Sequence, residues 1–179
     1  MTALIGADIE TAEAVAKEAA QGQVCVIAND NAPGQVVLSG NKAAIDRAAE
    51  IAKAKGVKRA IPLSVSAPFH CALMQPAADA MQGALSKVTI RPLAVPVLAN
   101  VTAEETSEPD TIRNWLVEQV TGRVRWRESL LALRSLGVTG TVEAGGNKVL
   151  TGMVKRTDKE LTTITLDTPA DIEAFVKTL

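Results

Sequence analysis

The order of strand-like and helix-like segments in residues 1–63 constrains the fold more strongly than any other feature of the sequence. Short β-branched or apolar runs predict strands, and apolar residues spaced three and four apart predict helices. The predicted order is βαββαβ, with strands at 2–6, 24–28, 35–39 and 58–63 and helices at 9–20 and 42–55. This order is ferredoxin-like, so residues 1–63 are predicted to form a complete small subdomain.

Capping and turn residues support these boundaries. Asp8 and Asn41 stand directly before the two helices, where a side-chain oxygen can accept a hydrogen bond from an unpaired backbone N–H. Gly56 follows the second helix and is suited to ending it. Residues 29–34 (NDNAPG) are rich in turn formers, so the second and third strands are predicted to pair as a hairpin.

Residues 64–179 show a different pattern, in which helices alternate with strands. Strands are predicted at 95–101, 138–143 and 162–166, and helices at 72–86, 110–120, 127–136, 148–156 and 169–178. This alternation predicts a largely parallel, helix-covered sheet and an α/β fold class. Three strands are few for such a sheet, so either it is small or further strands come from outside this chain. In the second case, an open sheet edge and an exposed apolar face favour association of the isolated chain.

Composition excludes several classes of function. Two Trp, two Phe and no Tyr leave little for base stacking, and a net charge of −1 does not suit a nucleic-acid-binding surface. Cys25 and Cys71 lack metal-binding spacing, so neither a zinc site nor a disulfide framework is expected. There is no long apolar run and no basic segment before an apolar stretch at the N-terminus. A cytoplasmic protein without a membrane span is therefore expected.

His70 is the one histidine in the chain, so histidine-based acid–base chemistry would have to use it. A histidine that acts as general base needs a nucleophile within hydrogen-bonding reach. The G-x-S-x-G nucleophile motif does not occur in the sequence, and neither Ser64 nor Ser66 is flanked by glycines. On these grounds alone, a lone loop histidine is more often structural than catalytic. Cys71 is next to it and is interpreted as a small buried residue.

Two further motifs have mainly structural interpretations. The GGNK sequence at 145–148 resembles a phosphate-binding turn at a helix N-terminus, but it lacks the P-loop spacing and is interpreted as a tight strand-to-helix turn. Arg123, Arg125 and Arg127 alternate with apolar residues. They are interpreted as a solvated edge, with a modest surface for an acidic partner as the alternative.

Five segments, taken in order, resemble one family. They are IANDNAPGQVVLSG (27–40), SAPFHCALMQPAAD (66–79), PVLANVTA (96–103), LVEQVTGRVRW (116–126) and VEAGGNKVLTGMVKR (142–156). Together they resemble the C-terminal portion of bacterial malonyl-CoA:acyl-carrier-protein transacylases. The resemblance implies a ferredoxin-like small subdomain at 1–63, followed at 64–179 by the C-terminal part of an α/β-hydrolase-like acyltransferase subdomain.

The resemblance also implies a reaction and its participants. In the family, a serine attacks malonyl-CoA, and the malonyl group then passes to the phosphopantetheine thiol of acyl carrier protein in fatty acid biosynthesis. His70 matches the general base, and Gln119 matches the residue whose backbone carbonyl orients the imidazole. Malonyl-CoA and acyl carrier protein are the expected partners, with no cofactor, no metal, no nucleic acid and no membrane.

Three further residues match family positions near the substrate. Phe69 matches a position where phenylalanine accompanies malonyl rather than methylmalonyl substrates, although a loop aromatic can equally serve packing alone. Asn29 and Gln35 match a segment that lines the cleft between the subdomains, and both can equally satisfy a turn.

The family portion that carries the G-H-S-x-G elbow, the arginine for the malonyl carboxylate and an oxyanion-hole glutamine has no counterpart in this sequence. Three hypotheses remain: a piece of a full transacylase, one chain of a split enzyme whose other chain carries the serine, or a non-catalytic fragment that binds acyl carrier protein or coenzyme A. On the first two, His70 supplies half of a catalytic dyad.

Overall fold

A computed structural model describes residues 1–178 and confirms the α/β class. The chain divides into two compact units, Met1–Ser129 and Leu130–Leu179. The strands are β1 Thr2–Ile5, β2 Cys25–Ala32, β3 Gln35–Gly40, β4 Arg59–Pro62, β5 Val97–Leu98, β6 Glu105–Thr106, β7 Gly140–Ala144 and β8 Thr162–Leu166. The helices are α1 Ile9–Ala20, α2 Lys42–Ala54, α3 Gln75–Leu85, α4 Pro109–Thr121, α5 Trp126–Ser135, α6 Val149–Thr157 and α7 Pro169–Val176. Over residues 1–178, every helix is too short or too polar to cross a membrane.

The first unit contains a four-stranded sheet in the order β2-β3-β1-β4, with antiparallel neighbours throughout. The predicted hairpin is present, but the predicted turn at 29–34 is wrong in extent. β2 continues through Ala32, because bulges after Ile27 and after Asp30 keep the polar segment paired with β3. The turn is left to Pro33 and Gly34, and the bulged end of β2 carries Asn29 and Asp30.

Helices α1 and α2 pack against the sheet through small residues. Leu4 and Leu38 are fully buried in a cluster to which the two helices contribute six alanines. Small side chains allow a close approach between helix and sheet, so four aromatic residues suffice for the whole chain. Asp8 caps α1 as predicted, since its carboxylate accepts from the Thr11 backbone N–H at 2.8 Å. Asn41 instead accepts from the Val24 N–H and does not cap α2 through its side chain.

Two predictions for the later residues need correction. The strand predicted at 95–101 shortens to β5, because the chain reverses where Ala99 and Glu104 hydrogen-bond, and it returns as the unpredicted β6. Residues 64–178 do not form one largely parallel sheet, and the strands after residue 63 form two separate pairs. β5 pairs antiparallel with β6, and β7 pairs parallel with β8. Helices α6 and α7 pack against this parallel pair, but Val142 of β7 and Ile164 of β8 remain exposed.

Gly40 is expected to be intolerant of substitution because β2 lies directly against it. A Cβ at this position would lie 1.9 Å from the Val24 carbonyl oxygen. Gly40→Ala should therefore lower the free energy of unfolding by about 2–3 kcal/mol, measured by urea denaturation. Gly83, in α3, has open space around the corresponding position. Gly83→Ala should raise stability by about 0.5–1 kcal/mol through helix propensity. Similar effects of the two substitutions would contradict this account.

Candidate active site

His70 lies in the loop between β4 and a short 3-10 turn at Ala72–Met74 that precedes α3. Its backbone is left-handed, with φ of +58°. This conformation is uncommon for a residue with a side chain, although histidine tolerates it better than most. The side chain is half-buried. The loop therefore holds His70 in a specific, sparsely populated conformation, which is common where a side chain must be aimed.

The His70 ring meets the end of a helix that is distant in sequence. Its Nδ1 lies 3.0 Å from the backbone carbonyl oxygen of Gln119, near the C-terminus of α4. A carbonyl can only accept a hydrogen bond, so Nδ1 carries a proton, and in the neutral ring Nε2 keeps its lone pair. This is the tautomer that a general base acting through Nε2 requires.

Cys71 has a local structural contact. It is 1% exposed, and its Sγ donates to the Pro68 carbonyl oxygen at 3.1 Å. This contact spans the turn that contains His70. Cys25 is also buried, and both thiols are free. Burial raises the pKa of the Cys25 thiol, which lowers its reactivity as a nucleophile.

The remaining predicted site residues lie in two places. Phe69 adjoins His70 and is 37% exposed. Asn29 and Gln35 are half-buried on β2 and β3. Asn29 forms a parallel bridge with Val124, which lies five residues after Gln119. The Val124 N–H donates to Ala28, and the Asp30 N–H donates to Val124. This backbone pairing connects the bulged end of β2 with the segment that follows α4.

The interpretation of the arginines as a solvated edge is wrong for Arg125 and Arg127. Arg127 approaches the buried Asp30 carboxylate at 2.8 Å, and Arg125 pairs with Glu128 and donates to the Thr102 carbonyl. The hydrogen bonds to Asp30 raise the pKa of Arg127 above its ordinary value. Spacing of basic residues gave no signal for this arrangement, because Asp30 lies 97 positions from Arg127.

A carboxylate of the chain itself lies at the N-terminus of the helix that follows the GGNK turn. The Glu143 carboxylate accepts from the backbone N–H groups of Leu150 and Thr151, at 3.1 and 2.7 Å, at the start of α6. Hydrogen bonds from Thr151 hold the pKa of Glu143 below its usual range. These donors are the ones a bound phosphate would use, so the interpretation as a structural turn fits the geometry. Among residues 1–178, no group of three or more His, Cys, Asp or Glu side chains could hold a metal ion.

Apolar exposure is concentrated after residue 63. Within residues 1–63, Val26 and Ile61 are the exposed large apolar side chains. The later residues expose many more, among them Phe69, Leu73, Met81, Val88, Val95, Val97, Leu116, Leu131, Val142, Val149, Leu150, Ile164, Ile172 and Val176. An apolar groove formed by β5 and α4 reaches Gln119 and includes Val97, Ile112 and Trp115. Contiguous apolar surface of this kind is typical of interaction sites and binding grooves.

The curated relatives of the chain are malonyl CoA-acyl carrier protein transacylases. The chain is 42% identical over 180 residues to malonyl CoA-acyl carrier protein transacylase of Bacillus subtilis, and 44% identical over 177 residues to that of Escherichia coli K12. These alignments cover 100% and 99% of this chain and 57% of each relative. By sequence, the chain corresponds to the C-terminal portion of malonyl-CoA:acyl-carrier-protein transacylases. No protein-family model matches the chain.

Solved transacylase structures match the fold as well. The acyl-carrier-protein S-malonyltransferase of Bartonella henselae superimposes with a TM-score of 0.95 at 46% identity, covering 99% of this chain and 56% of that one. A malonyl-transacylase structure solved with a type II polyketide synthase acyl carrier protein gives a TM-score of 0.95 at 38% identity, covering 99% and 58%. The chain thus spans somewhat more than half the length of the transacylases that it matches.

Proposed function

We propose that this chain contributes the general base of a malonyl transfer from malonyl-CoA to the phosphopantetheine thiol of acyl carrier protein. The hydrogen bond between His70 Nδ1 and the Gln119 carbonyl carries the proposal, because it leaves Nε2 free to accept a proton. Homology to transacylases over the whole chain supports the choice of reaction. Acyl carrier protein is the proposed protein partner, and one structural relative was solved with such a carrier.

The chemistry proceeds in two half-reactions. His70 takes the proton of a serine hydroxyl as the oxygen attacks the thioester carbonyl, and the coenzyme A thiolate leaves with that proton. A malonyl-serine ester remains. His70 then takes the proton of the phosphopantetheine thiol, whose sulfur attacks the ester, and returns the proton to the serine oxygen. Both steps need the same tautomer, which a carbonyl acceptor fixes. No cofactor is required by these steps.

The serine is proposed to lie on a protein portion outside this sequence, which contains no G-x-S-x-G motif. The chain covers 57% of its curated relatives, and the serine-bearing portion is the proposed cover for the apolar surface beyond residue 63. A cytoplasmic location is proposed with this role.

The predicted two-part organisation remains a proposal. The βαββαβ order of residues 1–63 and the strand order β2-β3-β1-β4 support a ferredoxin-like small subdomain. Residues 64–179 are then the C-terminal part of the large acyltransferase subdomain. Phe69, Asn29 and Gln35 are proposed to contact substrate. Phe69 adjoins the base, and Asn29 is connected through Val124 to the segment that follows Gln119.

Reconstitution tests this function. The chain alone should form no malonyl adduct with malonyl-CoA, as measured by intact mass. Co-expression with the serine-bearing N-terminal portion of the Escherichia coli transacylase should give a complex that transfers malonyl to phosphopantetheinylated acyl carrier protein. A matched complex in which that serine is alanine controls for non-enzymatic transfer.

Two results would contradict the proposal. One is a malonyl adduct on the isolated chain that survives Cys71→Ala. The other is a well-formed, stoichiometric complex without transfer, which would favour the alternative of a non-catalytic fragment that binds acyl carrier protein or coenzyme A.

A further inference from the structure

The side chain of Gln119 makes a contact separate from that of its carbonyl. While the carbonyl accepts from His70, the side-chain Nε2 donates to the backbone carbonyl of Gly122 at 3.0 Å. The bond reaches three residues ahead and is part-buried. Gln119 therefore has two roles. Its carbonyl accepts from the His70 ring, and its side chain connects the last turn of α4 to Gly122.

The helix end explains why this bridge matters. The last four carbonyls of a helix have no partner within it. α4 ends at Thr121, and Gly122 is extended, with φ of −85° and ψ of 151°. The Gln119 carbonyl would accept from residue 123 if the helix continued, so the break at Gly122 releases it for His70. The same break makes the last turn liable to fray.

Contacts around Gly122 restrict the exit of the chain. A Cβ at Gly122 would lie 2.8 Å from Val101 Cγ2 and 2.9 Å from the Glu118 carbonyl oxygen, so the turn is tight. Two residues further on, Val124 is fixed by two backbone hydrogen bonds to β2. The exit is thus held at Val124 by the sheet, and at Gly122 by two bonds: its N–H donates to the Glu118 carbonyl at 2.8 Å, and its carbonyl accepts from the Gln119 amide.

We propose that the Gln119 side-chain amide is a positioning residue for His70: by closing the last turn of α4 onto Gly122, it holds the Gln119 carbonyl where it fixes the tautomer of the imidazole. The inference rests on the proposed function for its catalytic meaning. It explains why a glutamine occupies a position whose carbonyl any residue could supply. Glutamine has both the length to reach Gly122 and an N–H to donate.

The single histidine permits a direct test on this chain. Long-range ¹H–¹⁵N spectra of the histidine-labelled protein, recorded where the ring is neutral, report the ratio of the two tautomers. The wild-type ring should be predominantly Nδ1-protonated. In Gln119→Glu and Gln119→Met the donor is lost, and the Nδ1–H to Nε2–H ratio should fall about five- to tenfold, the worth of one such hydrogen bond. In the reconstituted enzyme kcat should fall by a similar factor, with KM for malonyl-CoA unchanged.

Matched controls separate the bridge from other effects. Asn114→Asp makes the same amide-to-carboxylate change on an exposed part of α4 and should leave the tautomer ratio unchanged. The indole N–H signals of Trp115 and Trp126 report whether each variant is folded. A wild-type ratio in both folded Gln119 variants would overturn the inference and leave the proposed reaction untouched. Failure of reconstitution would count against the reaction and leave the tautomer result standing.

Discussion

Replacing His70 with alanine in the reconstituted complex should lower malonyl transfer by about 10²–10⁴-fold, the usual contribution of a positioned general acid–base group. His70 is the single histidine of the chain, so no neighbouring imidazole within it can substitute. The proposed mechanism uses the ring in both half-reactions. Formation of the malonyl-serine ester, measured by rapid-quench intact mass, and its transfer to the carrier thiol should therefore both slow.

The pattern of kinetic loss distinguishes this role from a structural one. An interaction made only in the transition state lowers kcat and kcat/KM together, whereas lost ground-state binding raises KM. His70→Ala should therefore leave KM for malonyl-CoA near its original value. Phe69→Leu, which changes the adjacent side chain and leaves the ring, serves as the control for loop disturbance. It should retain serine acylation within about tenfold, as expected for a change in hydrophobic contact. Ester formation at the wild-type rate in His70→Ala would refute the assignment.

Local features of the sequence predict local structure well in this molecule. α1 and β8 have the predicted bounds, and Asp8 caps α1 through its own carboxylate. Each depends on periodicity or on a contact between residues three apart, so the sequence alone contains the signal. Asn41 marks the limit of this reasoning. Its position before α2 is that of a cap, but its side chain accepts from Val24, which only the pairing of β2 and β3 brings near.

Errors occur where tertiary pairing overrides local composition. NDNAPG has the composition of a loop, yet bulges allow most of it to remain in β2. The segment 95–101 has the composition of a strand, but β6 pairs back onto its middle and shortens it. Alternation of helices and strands after residue 63 predicts one largely parallel sheet, but alternation contains no pairing signal, and only β7 and β8 pair in parallel.

In the candidate site, too, local features could be predicted from the sequence and tertiary contacts could not. His70 could be singled out because it is unique, but its partner is a backbone carbonyl 49 residues away, and any residue type supplies a carbonyl. Only the family resemblance pointed to Gln119. The amide bridge to Gly122 had no signal in composition or spacing, because it depends on where α4 ends.

Removing Arg127 should cause a large loss of stability, because its partner Asp30 has almost no access to water. The Asp30 side chain is 2% exposed and the Arg127 side chain 28%. Arg127 Nε lies 3.0 and 2.9 Å from the two carboxylate oxygens, and a terminal nitrogen adds a contact at 2.8 Å. Arg127→Met would leave a buried carboxylate without this cation, at a cost of about 3–5 kcal/mol in the free energy of unfolding, measured by urea denaturation.

Substitution of Arg127 and substitution of Asp30 should lower the free energy of unfolding by different amounts. That difference tests whether burial of the carboxylate causes the loss. Asp30→Asn leaves a guanidinium that can reach solvent, so it should cost only about 1–2 kcal/mol. Lys42→Met makes the same cation-to-methionine change in a pair whose side chains are 87% and 62% exposed, and it should cost less than about 1 kcal/mol.

Replacing both members of the Asp30–Arg127 pair, with Asp30→Leu and Arg127→Met, removes the unpaired charge and should recover much of the stability lost in Arg127→Met alone. Equal losses from Arg127→Met and Asp30→Asn would mean that burial of the carboxylate is not the cause. The pair connects β2 to Arg127 at the start of α5, three residues after Val124, which is itself held to β2 by two backbone hydrogen bonds.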